Sequence, residues 1–98
     1  MTKESALVQY MMQLLRAEGF YVEKNHGSPF STVGRPDLEG CARGHFFAIE
    51  AKTPTGVLSA AQMYQLQEIR HAGGITWVVR SKEEVKLALE ILCALKTP

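Results

Sequence analysis

Ninety-eight residues, 46% of them apolar and 21% charged, fit one globular domain and argue against disordered, collagenous or low-complexity chains. No run of about 18 apolar residues offers a membrane span, and no basic segment followed by an apolar stretch marks an export signal. A net charge of +1 does not advertise nucleic-acid binding, but carboxylates gathered to hold a cation count as negative until the metal arrives.

The first segment, Thr2 to Glu18, reads as a helix with Thr2 as N-cap and Gly19 just past its end. Leu7, Val8, Met11, Met12, Leu14 and Leu15 form one apolar stripe at helical spacing. Phe20 to Asn25 alternates apolar and polar residues, as a half-buried strand does. His26 to Pro36, with Gly27, Pro29, Gly34 and Pro36, is a loop. Asp37 to Ala42 and His45 to Lys52 are two strands about an Arg43-Gly44 turn. The second is apolar on both faces, with Phe46 and Ala48 on one and Phe47 and Ile49 on the other, as in a central strand. Thr53 to Leu58 connects to a helix from Ser59 to about Ala72, opened by the capping-box pair Ser59 and Gln62 and closed by Gly73-Gly74. Ile75 to Val79 reads as a buried strand. Ser81 and Glu84 form a second capping-box pair, and Val85 to Leu95 continues as a helix. The order αβββαβα implies a mixed sheet with helices packed on it.

The informative residues are charged ones at positions where apolar residues belong. Glu4 lies within about 60° of Leu7, Val8, Met11 and Leu15 on the helical wheel, in the middle of the stripe. It is either a first-turn acid favoured by the helix dipole or a carboxylate aimed at a site. Glu50 and Lys52 end the central strand and, two apart, point to the same side. They are either a fraying strand end with a weak ion pair or an acid and an ammonium held at the edge of the core. If Arg43-Gly44 is a two-residue hairpin turn, Ala42 faces His45 and Asp37 faces Glu50, with Cβ atoms about 4.5–5.5 Å apart. Two like charges so placed repel, and a hard divalent cation between them removes the conflict. Gln62 sits on its helix's apolar side with Leu66 and Ile69, and the capping box explains it equally well.

Asp37, Glu50 and the Ala51 carbonyl are oxygen ligands of the kind that Mg²⁺ or Mn²⁺ takes. Lys52 beside them can orient or deprotonate a water or stabilise a phosphate transition state, and Glu4 would extend the carboxylate set. These parts suit metal-assisted hydrolysis of a phosphodiester.

Pro36-Asp37 followed by Glu50-Ala51-Lys52 resembles the PD-(D/E)xK nuclease motif. The surrounding segments, GRPDLEG, FFAIEAKTPTGVLSAAQ and HAGG, resemble the VRR-NUC (virus-type replication-repair nuclease) branch, and the likeness runs from Glu4 to about Arg80. The resemblance implies an α/β fold with a restriction-endonuclease-like αβββαβ core, here with a further C-terminal helix. It implies Asp37 and Glu50 as metal ligands, Lys52 as catalytic lysine, Glu4 as first-helix acid and Gln62 as an active-site glutamine. It also implies a free-standing form of the kind phages encode, acting as a homodimer on branched DNA such as four-way junctions. The missing export signal and the cysteine usage point to a cytoplasmic setting, the host cell's cytoplasm if the protein is phage-encoded.

Lys24, His26, Arg35 and Arg43 fall near or on loops beside the proposed site. They are candidates for DNA phosphate contacts or ordinary solvated charges. The histidines and the two cysteines, Cys41 and Cys93, lack zinc-type spacing, and the thiols are expected to be reduced. Trp77 and Phe46 read as core. Leu87, Leu92 and Leu95 can pack on the sheet or on a second subunit. The expected activity is therefore a Mg²⁺- or Mn²⁺-dependent DNA endonuclease. A non-catalytic DNA-binding or assembly module is the alternative, and an RNA substrate stays open. The reading depends on residues 37 and 50 being spatial neighbours on one face of the sheet.

Overall fold

The computed structural model describes residues 2–27 and 32–98 and has seven elements in the expected order. Helix α1 spans Lys3–Ala17. The Thr2 hydroxyl caps it by accepting the Ser5 N–H at 3.0 Å. Its end is a Schellman motif, in which the Gly19 N–H donates to the Arg16 carbonyl and the Phe20 N–H to that of Leu15. Leu7, Val8, Met11 and Leu15 are its buried face. Strands β1 (Tyr21–Lys24), β2 (Leu38–Ala42) and β3 (His45–Ala51) follow, then α2 (Ala60–His71), β4 (Ile75–Val79) and α3 (Lys82–Cys93).

The sheet order is β1-β2-β3-β4. The first two pairings are antiparallel and β3–β4 is parallel, with α2 as the crossover that a parallel pair requires. The β2–β3 hairpin has the anticipated register, Ala42 opposite His45 and Leu38 opposite Ile49. Both turn residues have positive φ, 52° at Arg43 and 84° at Gly44, the conformation of the tight turn whose twist matches the strands. Register is thereby set, and with it the face on which every later side chain falls.

Side chains alternate across the sheet. Val22, Leu38, Phe47, Ile49, Ala51 and Val79 join Leu7, Met11, Leu15, Val85 and Leu92 in one buried core beneath α1 and α3. The opposite face carries Phe46 and, in register across β3 and β4, Ala48 beside Thr76 and Glu50 beside Val78, and lies toward α2. That helix packs on β4 and buries only Leu66. Arg70 of α2 donates to the Thr76 hydroxyl from Nε at 3.1 Å and Nη2 at 2.7 Å. The two faces are unequally covered, and the thinly covered one carries the acid.

Several local expectations change. Only Val79 of β4 is buried, because β4 forms the outer edge of the described sheet rather than its interior. Phe46, expected in the core, is 45% exposed, since α2 covers its face incompletely; Trp77 is partly buried against the core. The box at Ser59 is complete, with the Gln62 N–H on the Ser59 hydroxyl and the Ser59 N–H on the Gln62 amide oxygen. At Ser81 the hydroxyl accepts the Glu84 N–H, but Glu84 returns its bond to the N–H of Arg80, one residue earlier. Of the three leucines left open in the last helical segment, Leu92 is fully buried, Leu95 is half-buried and packed on the core, and Leu87 is exposed. The Pro29 part of the anticipated loop lies outside the described residues. Among the described residues no helix is long and apolar enough to cross a membrane.

Candidate active site

The site begins where β2 and β3 part. Pro36 is fully buried, and Asn25, just past β1, clamps the chain there. Its N–H donates to the Asp37 carbonyl at 2.9 Å and its side-chain amide to the Pro36 carbonyl at 2.6 Å. Gly34 brings the preceding turn against the start of α2. A Cβ at this position would sit 2.5 Å from the Ala61 carbonyl carbon and 2.8 Å from the Gln62 nitrogen, and its φ is +83°. Only glycine satisfies both the close approach and the backbone angle. Asp37 is thus held from the sheet side by Asn25 and from the α2 side through Gly34.

The hairpin register carries on to put Asp37 opposite Glu50. The Asp37 Oδ2 accepts the Ala51 N–H at 2.8 Å, and the Asp37 side chain is in hydrogen-bond contact with the Glu50 carboxyl. Glu50 is the one buried charged residue among those described, 3% exposed, and its Oε2 has no hydrogen-bond partner. Burial pushes the Glu50 carboxyl up from 4.5 to about 9. The hydrogen bond and the charge of Asp37 add to the rise, Lys52 opposes it, and Glu4 contributes a smaller upward push. At neutral pH without a cation, Glu50 therefore holds a proton against Asp37. The two acids are neighbours, as the spacing required.

Lys52 follows β3, where its N–H continues the parallel ladder to the Val79 carbonyl at 3.0 Å. Glu4 is half-buried near the α1 N-terminus and is felt by Glu50 as a charge. Among the described residues no three acid, histidine or cysteine side chains stand together as a ready metal-holding group, so Glu4 is not gathered with Asp37 and Glu50 in this conformation. The amide oxygen of Gln62 is occupied by the capping bond. The donor set still fits a hard cation: two adjoining carboxylates, a buried carboxylate oxygen without a donor, and the Ala51 carbonyl in the chain between Glu50 and Lys52.

The four basic candidates divide. His26 and Arg35 line, with Asn25, Gly34 and Asp37, an open hollow of about 280 Å³. Arg35 is paired with Glu39 at 3.3 Å. Lys24 is exposed and sits opposite Leu38, next to Asp37. Arg43 does not lie beside the acids. The turn is at the far end of the hairpin, beyond five residue pairs, or about 17 Å along the strand at roughly 3.4 Å per residue. There its guanidinium donates to the Leu95 carbonyl, while His45 bonds the Lys96 carbonyl at 2.7 Å, so both fasten the C-terminal tail. A loop position in the sequence does not say at which end of a hairpin the loop lies.

Two positioning residues do not stand out in the sequence. Asn25 falls at the end of an expected strand. Arg80, one residue after β4, donates from Nη1 to the Thr53 carbonyl at 2.8 Å and the Gly56 carbonyl at 2.6 Å, fixing the connector that follows Lys52. A lone Arg directly after an apolar strand was the available signal.

A mixed four-stranded sheet in an αβββαβ core, with Asp37 and Glu50 adjoining where two strands part and Lys52 two residues on, is an α/β fold consistent with the expected nuclease-like core. A solved structure described as a VRR_NUC domain is similar to this chain. The TM-score is 0.78 at 27% identity, covering 92% of this chain and 97% of that one. The VRR-NUC resemblance of the sequence is thereby borne out. No family model and no curated protein matches the sequence.

Proposed function

We propose that the protein is a divalent-metal-dependent nuclease that hydrolyses phosphodiester bonds in DNA. The observation that carries this reading is the Asp37–Glu50 pair, in which a buried carboxyl with an unpartnered oxygen abuts a second acid. Such an arrangement is unfavourable for folding alone and is relieved by a bound cation. Asp37, Glu50 and the Ala51 carbonyl would hold Mg²⁺ or Mn²⁺, which supplies an acidified water and neutralises charge on the phosphate. Lys52 stands at the same strand end and offsets the charge that builds on the phosphate oxygens as the new P–O bond forms. Asn25 and Gly34 hold Asp37 in place, and Arg80 holds the connector behind Lys52. Glu4 of α1 acts on Glu50 as a nearby charge and would extend the ligand set; Gln62, whose amide oxygen caps α2, is the remaining candidate side chain.

The finer reading is structure-specific cleavage of branched DNA by a homodimer, two sites cutting two strands symmetrically. Its dimeric part is supported by the position of β4 at the edge of the described sheet together with Leu87 and Ile91 of α3, which are 57% and 41% exposed; its branched-DNA part rests on the family resemblance. The deciding experiment is a cleavage panel of duplex, single-stranded, flap and four-way DNA with Mg²⁺ or Mn²⁺. Wild type should cut at least one substrate, and Asp37→Ala, Glu50→Ala and Lys52→Ala should each lose at least about a hundredfold in rate, the scale of removing one charge-stabilising group. Cleavage persisting in all three would falsify the site. Binding without any cleavage by clean wild type would identify a non-catalytic module on the same fold.

A further inference from the structure

A second opening, of about 280 Å³, lies beside Lys52 and is lined by Lys3, Ala6, Leu7, Lys52, Thr53, Pro54, Arg80 and Lys82. Every charged side chain lining it is cationic. The four come from separated parts of the chain: the start of α1, the residue after β3, the residue after β4 and the start of α3. Among the described residues none of the three lysines has a carboxylate within ion-pair distance. Lys82 instead lies 5.1 Å over the Tyr10 ring. No acid lines the opening; of the nearby first-turn acids, Glu84 is held by the Arg80 backbone N–H at its Oε1.

Four like charges around one pocket repel unless an anion sits among them. The pocket is at the carboxyl ends of the parallel pair β3 and β4, where open α/β sheets take their ligands. Residues at the starts of the 15-residue α1 (Lys3, Ala6) and the 12-residue α3 (Lys82) line it, where the helix dipole adds potential of the same sign. Its apolar lining residues Ala6, Leu7 and Pro54 suit a sugar rather than a second charge. Arg80 holds the Thr53 and Gly56 carbonyls and so keeps the pocket's rim in place.

We propose that this pocket is a phosphate subsite, in which Lys3 and Lys82 hold a backbone phosphate of the DNA strand adjacent to the one positioned at Asp37, Glu50 and Lys52. The assignment of DNA rests on the function proposed above. The pocket fixes the strand by charge and carries no sequence information, as backbone contacts do.

The test is binding of fluorescein-labelled duplex and four-way DNA with Ca²⁺ in place of Mg²⁺, over a salt series, alongside cleavage with Mg²⁺. The double variant Lys3→Gln, Lys82→Gln should weaken binding about tenfold near 0.1 M salt and lower the slope of log affinity against log salt by about 1–2. In cleavage the loss should fall on KM. Lys96→Gln, on the tail and away from the pocket, removes the same charge and should change neither. If the double variant folds poorly, Lys3→Gln alone and the charge-preserving Lys82→Arg carry the test: the first should lower the slope by about 0.9 and the second should leave it at the wild-type value. Unchanged affinity and slope in a folded double variant overturn the subsite, whatever wild type cleaves. Weakened binding in a protein that never cleaves keeps the subsite and overturns the nuclease reading, and wild type that neither binds nor cleaves overturns both.

Discussion

Glu50→Gln isolates what the buried acid does to the fold. The Gln amide fills the same space and donates to Asp37, replacing the proton that Glu50 holds, and it cannot ionise. In wild type the Glu50 carboxyl rises from 4.5 to about 9 on folding, chiefly through burial and then through Asp37. The folded state therefore binds a proton that the unfolded state releases. Below pH 4.5 both states are protonated and the shift has no effect. As pH rises from 4.5 toward 9 stability is lost, because the unfolded chain ionises freely and the folded chain does not. At about 1.4 kcal/mol per pH unit, the interval from 4.5 to 7 amounts to about 3 kcal/mol. That is a large share of the roughly 5–15 kcal/mol typical of a domain. Urea unfolding with EDTA, from pH 4.5 to 8.5, should show wild type losing stability with pH beyond what Glu50→Gln loses, the gap reaching about 3 kcal/mol near pH 7. Adding Mg²⁺ should narrow the gap in wild type and leave the variant unmoved. Parallel stability–pH curves for the two proteins would show that Glu50 is not held protonated against Asp37, and the cation argument built on that pair would fall.

Three further outcomes are expected. DNA affinity at pH 7.5 should rise when Ca²⁺ is added and fall on EDTA treatment, because the cation neutralises the carboxylate pair; tight binding indifferent to EDTA contradicts the cluster. Gly34→Ala should destabilise by about 2–4 kcal/mol, from a positive φ and a Cβ against the Ala61 backbone, read as a lower urea midpoint; a midpoint equal to wild type would show that the turn relaxes away from α2. Arg43→Ala should lose about 1 kcal/mol with its bond to the Leu95 carbonyl and cleave DNA at the wild-type rate, whereas a strong loss of cleavage would place this end of the hairpin on the substrate path.

The sequence alone determined the element order, the caps at Thr2 and Ser59, and the hairpin register. These follow from local rules: 3.6- and 2-residue periods, hydroxyl caps, and a two-residue turn that pairs Ala42 with His45. Once the turn is known, counting along two strands sets Asp37 against Glu50, so the centre of the candidate site was legible without any tertiary information. Covalent order does not carry burial or distance between elements. Phe46 and Ile75–Val79 have core composition, yet their exposure depends on how much surface α2 covers and on β4 having no outer neighbour in the described sheet. Arg43 and Arg35 look alike as loop cations, but the hairpin puts them at opposite ends. The clamp of Asn25 on Pro36 and Asp37, the hold of Arg80 on the connector, and the meeting of Lys3, Lys52, Arg80 and Lys82 about one opening were decided only by tertiary structure. Each joins residues whose separation in the chain fixes nothing about their separation in space until the helices have packed on the sheet.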